Sequence, residues 1–379
     1  MQQQAIVHII TKLELGGAQK VCLALASGAH AAGWHTVLIT GTEGILVPTA
    51  QEQPFTTILL PTLRRELSPR FIVDDIRTIW QIRSLLRSYQ QQYATVIVHT
   101  HSSKAGILGR IAATLAGVQT RVHTVHGFAI HKHQSWGQWL VYYLPELFCS
   151  WLTTQFIYVS SADKELGSRI FPARTQRAAT IIRAAVPIDD FVPAIRTQPT
   201  TAFVIGTISC FKPPKNLPDM IRAFARVHQA LPHARLEIVG DGELRPMLEQ
   251  MIADHQLQQA VTLQGWQSTV APFLARWDIY TMTSLWEGLP CAVVEARAAQ
   301  LPVVSYATGG IPDIIADGVN GYLVPPGDWQ QLASKIIALG TNAPQRQQLA
   351  TTTDDLTEFT QATMIKRHLQ LYEQHKRRQ

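Results

Sequence analysis

The chain has 379 residues, 46% apolar and only 16% charged, a composition that buries large cores and excludes a disordered chain. Its length predicts two domains rather than one. The net charge of +6 admits an anionic partner, and the excess lies wholly in the first half: residues 1–190 hold 17 Lys and Arg against 11 Asp and Glu, whereas residues 191–379 hold 16 of each.

Short β-branched runs alternate with helical patterns along the whole chain. The first half predicts strands at 5–10, 36–40, 55–60, 94–99, 120–125 and 155–159. Helices are expected near 17–32, 71–90, 103–117, 136–152 and 161–170. In helix 71–90 the spacing puts Ile72, Ile76, Ile79 and Leu86 on one stripe. Residues 187–201 carry three prolines and read as a linker. The alternation then restarts, with strands at 202–208, 234–239, 260–264, 277–281, 302–305 and 322–324. Helices follow near 216–230, 243–255, 291–299 and 328–339, and a final one near 355–375. Repeated β-α units imply parallel sheets covered by helices on both faces. The expected domains are 1–190, a linker 191–200, 201–353, and a terminal helix 354–379. Two such domains would face across a cleft, with ligands at the C-terminal ends of strands.

The first apolar stretch is short, contains His8 and lacks a basic leader, so no signal peptide is expected. No uncharged apolar run approaches the roughly 18 residues of a membrane span. The nearest, 135–160, is broken by Pro145 and Glu146. Cys22, Cys149, Cys210 and Cys291 are isolated and read as reduced thiols of a cytoplasmic protein.

The densest chemistry is SLWEGLPCAVVE, residues 284–295. A strand ends, a loop carries Glu287, Gly288 and Pro290, and a helix opens near Cys291. Its start offers free backbone N–H groups and a positive dipole end, which suit a phosphate. Gly288 allows close backbone approach. Glu295, one turn in, leans back toward that start. Carboxylates so placed can accept hydrogen bonds from sugar or ribose hydroxyls, or can be ordinary first-turn helix acids. Cys291 sits where a thiol pKa can fall, but no neighbour requires a thiol, and it reads as a small packing residue.

In GTISCFKPPKN, residues 206–216, Lys215 can reach a diphosphate leaving group or be a solvated loop lysine. Six of the 14 histidines fall within 99–133: His99, His101, His123, His126, His131 and His133. Their spacing matches no zinc signature and no cysteine or carboxylate pair joins them, so no metal is predicted. Lys104 opens a helix and is expected to face the cleft. LELGGAQK, residues 13–20, turns from a strand into a helix through Gly16 and Gly17. That turn either binds a phosphate or simply allows a tight turn. There is no G-x-G-x-x-G with a downstream acid, no Walker loop and no D-x-D, which argues against a nicotinamide cofactor and fits metal-independent chemistry.

These segments together resemble the retaining glycosyltransferases of family four. That family has the GT-B architecture: two Rossmann-like α/β domains across a cleft, with a C-terminal helix returning to the first. Its donor-site signature is a Glu, then Gly-x-Pro, then a second Glu at this spacing. The likeness continues through LPVVSYATGGIPDII (301–315), NGYLVPPGD (320–328), VGDGELR (239–245) and LQGWQSTVAPFLARWDIYTMTS (263–284). In the first half, HTHSSKAGILGRIAATLAG (99–117) and RVHTVHGF (121–128) resemble members that build bacterial surface polysaccharides and lipid-linked oligosaccharides.

The resemblance implies a catalytic set of His126, Lys215 and Glu287, with no cofactor or metal. Glu287 would meet the donor sugar hydroxyls and Glu295 the nucleotide ribose. Backbone N–H groups near Leu289 and Cys291 would hold the distal phosphate, and Gly288 would belong to the same donor-binding loop. Gly309 and Gly310 would line the loop beside the sugar, and Gly240, Gly242 and Trp266 would border the base. Gly16 and Gly17 would lie at the cleft. His126 would lie near the donor sugar, or else be a buried histidine tied to backbone at a strand end. The family's Arg, five residues before its Lys, is Cys210 here. Lys212 stands nearby as a point charge without Arg's fork.

The implied partners are a nucleotide sugar, UDP-linked, and a lipid-diphosphate-linked saccharide acceptor. An anionic inner-membrane surface is a further expected partner. The aromatic helix 135–152 and the Arg-rich segment 64–87, with only Glu66, Asp74 and Asp75 as acids, read as lipid-facing or as core and solvated face. Rival readings are a nucleotide-sugar epimerase or phosphorylase of the same fold, and a polyanion-binding protein. The low charged fraction argues against nucleic acid.

Overall fold

The structure, a computed structural model, describes residues 4–65, 69–130, 134–191 and 202–376. Residues 192–200 of the expected linker, together with Glu66, His131 and His133, lie outside the described residues. The chain divides into two compact units: one holds the residues up to Ala185 and those from Glu358 onward, the other Val186–Thr357.

The first unit opens with β1 (Gln4–Ile9), α1 (Gly17–Ala31), β2 (His35–Thr40), α2 (Val47–Gln51) and β3 (Thr56–Leu59). It continues with α3 (Ile72–Gln92), β4 (Thr95–His101), α4 (Ser103–Ala116), β5 (Thr120–Val125) and α5 (Trp136–Leu152). It then adds β6 (Gln155–Tyr158), α6 (Ser161–Ile170) and the short β7 (Thr180–Ile181). The sheet is parallel, in the order β3-β2-β1-β4-β5-β6-β7. β4 is buried at every position, as a strand covered on both faces must be.

The second unit holds β8 (Phe203–Ile208), α7 (Leu217–Ala230), β9 (Ala234–Val239), α8 (Arg245–Asp254), β10 (Val261–Gly265) and α9 (Ala271–Leu274). After these come β11 (Ile279–Met282), α10 (Cys291–Ala298), β12 (Val303–Tyr306), β13 (Gly321–Val324), α11 (Trp329–Thr341) and α12 (Ala343–Thr351). Its sheet is also parallel, ordered β10-β9-β8-β11-β12-β13. In both sheets the strand order reverses beside the first strand, which is where doubly wound folds take their ligands. The last helix, α13 (Gln361–Lys376), belongs to the first unit and packs on α1. A Cβ on Gly28 would fall 2.6 Å from Ile365, so the bare glycine lets the two helices touch.

Two expectations are corrected. Lys104 is buried and forms a 2.8 Å ion pair with Asp75, so it fastens α4 to α3. Asp75 thereby takes an inward position on α3. The buried row is Thr78, Ile82 and Leu86, and Ile72 and Ile76 turn out to solvent. Apolar spacing alone had put those two isoleucines on the inner stripe with Leu86.

A second buried ion pair, Arg110 to Glu146 at 2.6 Å, joins α4 to α5. The remaining guanidinium donors of Arg110 go to the Gly106 carbonyl and the Thr153 hydroxyl. With each guanidinium nitrogen bonded to an acceptor, the pair approaches the condition under which a buried charge is tolerated.

Candidate active site

In the second unit four loops follow the C-terminal ends of β8, β9, β11 and β12, and backbone bonds knit them together. Phe211 N–H donates to Asp241 O at 2.8 Å, and Leu244 N–H donates to Phe211 O at 3.1 Å. Leu285 N–H donates to Pro214 O, and the Thr283 hydroxyl donates to the carbonyls of Lys215 and Asn216. Gly310 N–H donates to Gly288 O at 2.6 Å.

The glycines make this packing possible. Gly240 has φ +125°, and a Cβ there would lie 1.9 Å from Ser209 O. Gly309 has φ +55°, and a Cβ there would lie 2.0 Å from Glu287 O. Gly242 likewise lies against Phe211, and Gly240 N–H donates to Gly265 O. Trp266 follows β10 with half of its surface exposed.

Within this set Lys215 Nζ lies 2.6 Å from Glu287 Oε1. Burial alone would lower the lysine's pKa. The attraction and hydrogen bond of Glu287, helped by Cys210 and Cys291, outweigh it and raise the pKa, so Lys215 is charged. Lys212 stands three residues earlier, half-buried, on the same loop. α10 starts directly after Leu289 and Pro290, and no side chain caps it. Its first turn carries the positive end of the helix dipole, which favours an anion. Glu295 is buried one turn in. Burial raises the pKa of the Tyr280 phenol, and the negative charges of Glu295 and Glu287 add to that rise.

In the first unit α1 begins at Gly17 after Gly16, with neither a capping side chain nor an acid in its first turn. Gly16 has an ordinary extended backbone, and a Cβ there would meet only the flexible end of Gln19. His126 is half-buried at the end of β5 and followed by Gly127 at φ +105°. Its Nε2 lies 3.0 Å from His101 Nδ1, and His101 Nε2 lies 3.2 Å from His8 Nδ1. His99 bonds Tyr372 of α13 at 2.6 Å and Thr124 at 2.7 Å. His123 bonds Thr100 at 2.9 Å, and His368 bonds the Met364 carbonyl at 2.8 Å.

Burial lowers the pKa of all six imidazoles, and their mutual repulsion adds to this for most of them. His8 and His126 fall to about 3 and His368 to about 4, while His99, His101 and His123 fall well below the usual value. Each is neutral near pH 7. Among the described residues His8, Cys22 and His101 bring ligand-capable atoms within 4.8 Å of one another. Both ring nitrogens of His101 are already engaged by His8 and His126, so a metal there would have to break that chain.

Motif reading missed His8, His368 and Tyr372. His8 had a signal: it lies in a predicted strand and pairs with His99 across β1 and β4. His368 and Tyr372 had none, since Tyr372 is 273 residues from its partner His99.

Models of known families match both halves of the chain. Glycosyl transferases group 1 matches residues 189–355, and the glycosyl transferase 4-like domain matches residues 16–181. The UDP-Gal:alpha-D-GlcNAc-diphosphoundecaprenol alpha-1,3-galactosyltransferase of Escherichia coli is 31% identical over 290 residues, 73% of each chain. Among solved structures, sucrose-phosphate synthase from Thermosynechococcus elongatus superimposes with a TM-score of 0.83 at 18% identity over all of both chains. Anabaena HepE in complex with UDP and glucose gives 0.81 at 18% identity, covering 98% of this chain and all of the other. Two parallel Rossmann-like sheets, two family matches and a relative aligned over most of its length agree: the chain belongs to the group 1 glycosyltransferases, as an enzyme of the GT-B type.

Proposed function

We propose that the enzyme is retaining and moves a hexosyl or N-acetylhexosaminyl group from a UDP-sugar to a lipid-diphosphate-linked saccharide in bacterial surface-glycan assembly. The Escherichia coli relative is named for a UDP-sugar donor and a diphosphoundecaprenol-linked acceptor, which supports both choices. The observation that carries the reading is the 2.6 Å contact of Lys215 with Glu287 beside the uncapped start of α10. An ammonium has three donors, so Lys215 keeps two for diphosphate oxygens after serving Glu287. Glu287 keeps its second oxygen for a sugar hydroxyl, and Glu295 serves the ribose. His126 is the further residue acting on the transferred sugar.

The reaction proceeds on one face of the sugar. The bond from the anomeric carbon to the diphosphate oxygen breaks, and the acceptor oxygen bonds to the same face. The acceptor's proton passes to the leaving diphosphate. Lys215, Lys212 and the α10 N–H groups meet the charge that develops there, which is where electrostatic help counts most. This donor set supplies the stabilisation without a metal ion. Purified enzyme given a panel of labelled UDP-sugars and membrane lipid extract is expected to label lipid with one donor, with anomeric configuration retained. Label that stays on the nucleotide with every donor, or returns as an epimer, sinks the transfer reading.

We also place the enzyme peripherally on the inner face of an anionic membrane. Among the described residues no helix is long and apolar enough to cross a membrane. α5 exposes Trp136, Val141, Leu144, Phe148 and Trp151, and the start of α3 exposes Ile72, Val73, Ile76 and Trp80. Arg174 lies over Trp151 and Arg83 over Trp80, each within 5 Å of the ring centre. Aromatic rings beside guanidinium groups suit the headgroup boundary of anionic lipid. Replacing Phe148 and Trp151 by Ser is expected to abolish sedimentation with phosphatidylglycerol vesicles and leave UDP binding unchanged. Undiminished sedimentation sinks the docking reading.

A further inference from the structure

We infer that His8 and His101 are positioning residues that hold His126 in the tautomer carrying its proton on Nδ1, so that His126 meets the sugar as a hydrogen-bond donor and not as a base. The inference rests on the reading that His126 acts on the transferred sugar.

The three imidazoles form one chain. His126 Nε2 faces His101 Nδ1 at 3.0 Å, and His101 Nε2 faces His8 Nδ1 at 3.2 Å. His8 and His101 are fully buried. With all three rings neutral, each carries one N–H, which makes three protons for two ring-to-ring bonds. The third proton must sit at an end: on His8 Nε2 or on His126 Nδ1.

His8 Nε2 is buried without a hydrogen-bond partner. Its neighbour Cys22 is held as a thiol, because burial raises its pKa, and a thiol is a weak donor that offers a ring N–H little. A proton on His8 Nε2 would be a buried donor with no acceptor, and a bare lone pair there costs less. The proton order is therefore set from the far end. His8 Nδ1–H donates to His101 Nε2, His101 Nδ1–H donates to His126 Nε2, and the spare proton falls on His126 Nδ1.

Two consequences follow for the chemistry. His126 Nε2 is occupied as an acceptor, so it is not free to take the acceptor's proton, and that proton goes to the diphosphate as proposed above. His126 Nδ1–H is left to donate to a sugar oxygen. The buried end of the chain thus decides what the exposed end offers, as partners of a ring nitrogen do elsewhere.

The test uses the full chain with 15N-labelled histidine and long-range 1H–15N correlation near pH 7.5, with His126 assigned from a His126→Asn spectrum. The expected result is Nδ1–H with bare Nε2 on His8, His101 and His126. Nε2–H on His126 would overturn the inference. So would a Zn2+ titration that shifts the His8 and His101 signals at stoichiometric metal, since metal would claim the same nitrogens.

In kinetics, His101→Leu is expected to lower kcat about 10- to 100-fold with donor KM nearly unchanged. His101→Asn, whose side-chain N–H replaces Nδ1–H, is expected to recover most of the loss. Wild-type kcat in His101→Leu would overturn the positioning role. A wild-type enzyme inactive with every donor would sink the transferase reading instead, while the tautomer measurement, which needs no substrate, would still decide this one.

Discussion

Lys215→Ala is expected to lower kcat for sugar transfer by about 10²- to 10³-fold, the range seen when one preorganised donor to a developing anion is removed. The donor KM should change far less, because on the proposed reading the start of α10 and Glu295 would still hold the nucleotide. The lysine sits where the effect should be largest. Its ammonium lies 2.6 Å from Glu287, and the backbone carbonyls of Lys215 and Asn216 accept from the Thr283 hydroxyl in the loop after β11. Those backbone bonds survive the substitution, so the loop should keep its shape. Glu287 is then left without its cation. Glu287→Ala should therefore be slow by itself, and the double variant should be little slower than either single one, as for groups that act as a unit. Steady-state kinetics on the labelled donor identified by the panel decide the matter. A kcat within threefold of wild type in Lys215→Ala would remove Lys215 from the chemistry.

Acidification should open the first unit before the second. The unfolded chain takes up protons on its imidazoles below pH 6.5, whereas burial holds His8 and His126 at about 3 and His368 at about 4, and lowers His99, His101 and His123 well below the usual value. Their contribution to stability is therefore complete above pH 6.5 and is lost as pH falls toward 4. All six draw on the same unit, so the loss accumulates there. None of the six lies in the second unit. Hydrogen exchange read by region at pH 7, 5.5 and 4.5 should show β1, β4 and α13 losing protection while β8 and α10 keep theirs. Equal protection of β4 at pH 7 and 4.5 would contradict this account, as would earlier opening of α10.

Both sheets are legible in the sequence because each core strand is a compact β-branched run between helical periods. β7 is two residues long and carries no period, so it escapes. The donor-side loops are legible for a related reason: Glu287, Gly288, Cys291 and Glu295 stand within nine residues, and local spacing alone puts them at one helix start. Lys215 requires more, since it meets Glu287 across 72 positions, and only the motif resemblance pairs them in advance. The face of α3 is misread for an electrostatic reason. Asp75 looks like a surface acid until Lys104 on another helix is known to be its partner. The histidine chain depends on strand register, which sets His8 beside His99 and close to His101. No run of neighbouring residues encodes that.

The first unit is interrupted: the second is a continuous stretch of chain set inside it, and α13 arrives only afterwards. That helix supplies Ile365 to the groove of α1, Tyr372 to His99, and His368 to the ring cluster. On the ribosome the chain emerges N-terminus first and folds by units as it appears. The second unit has all its strands once residue 324 is out, whereas the first must wait until residues 361–376 follow. The half that is begun first is finished last. During that interval its imidazole cluster lacks a wall, and chaperones have a defined surface to shield.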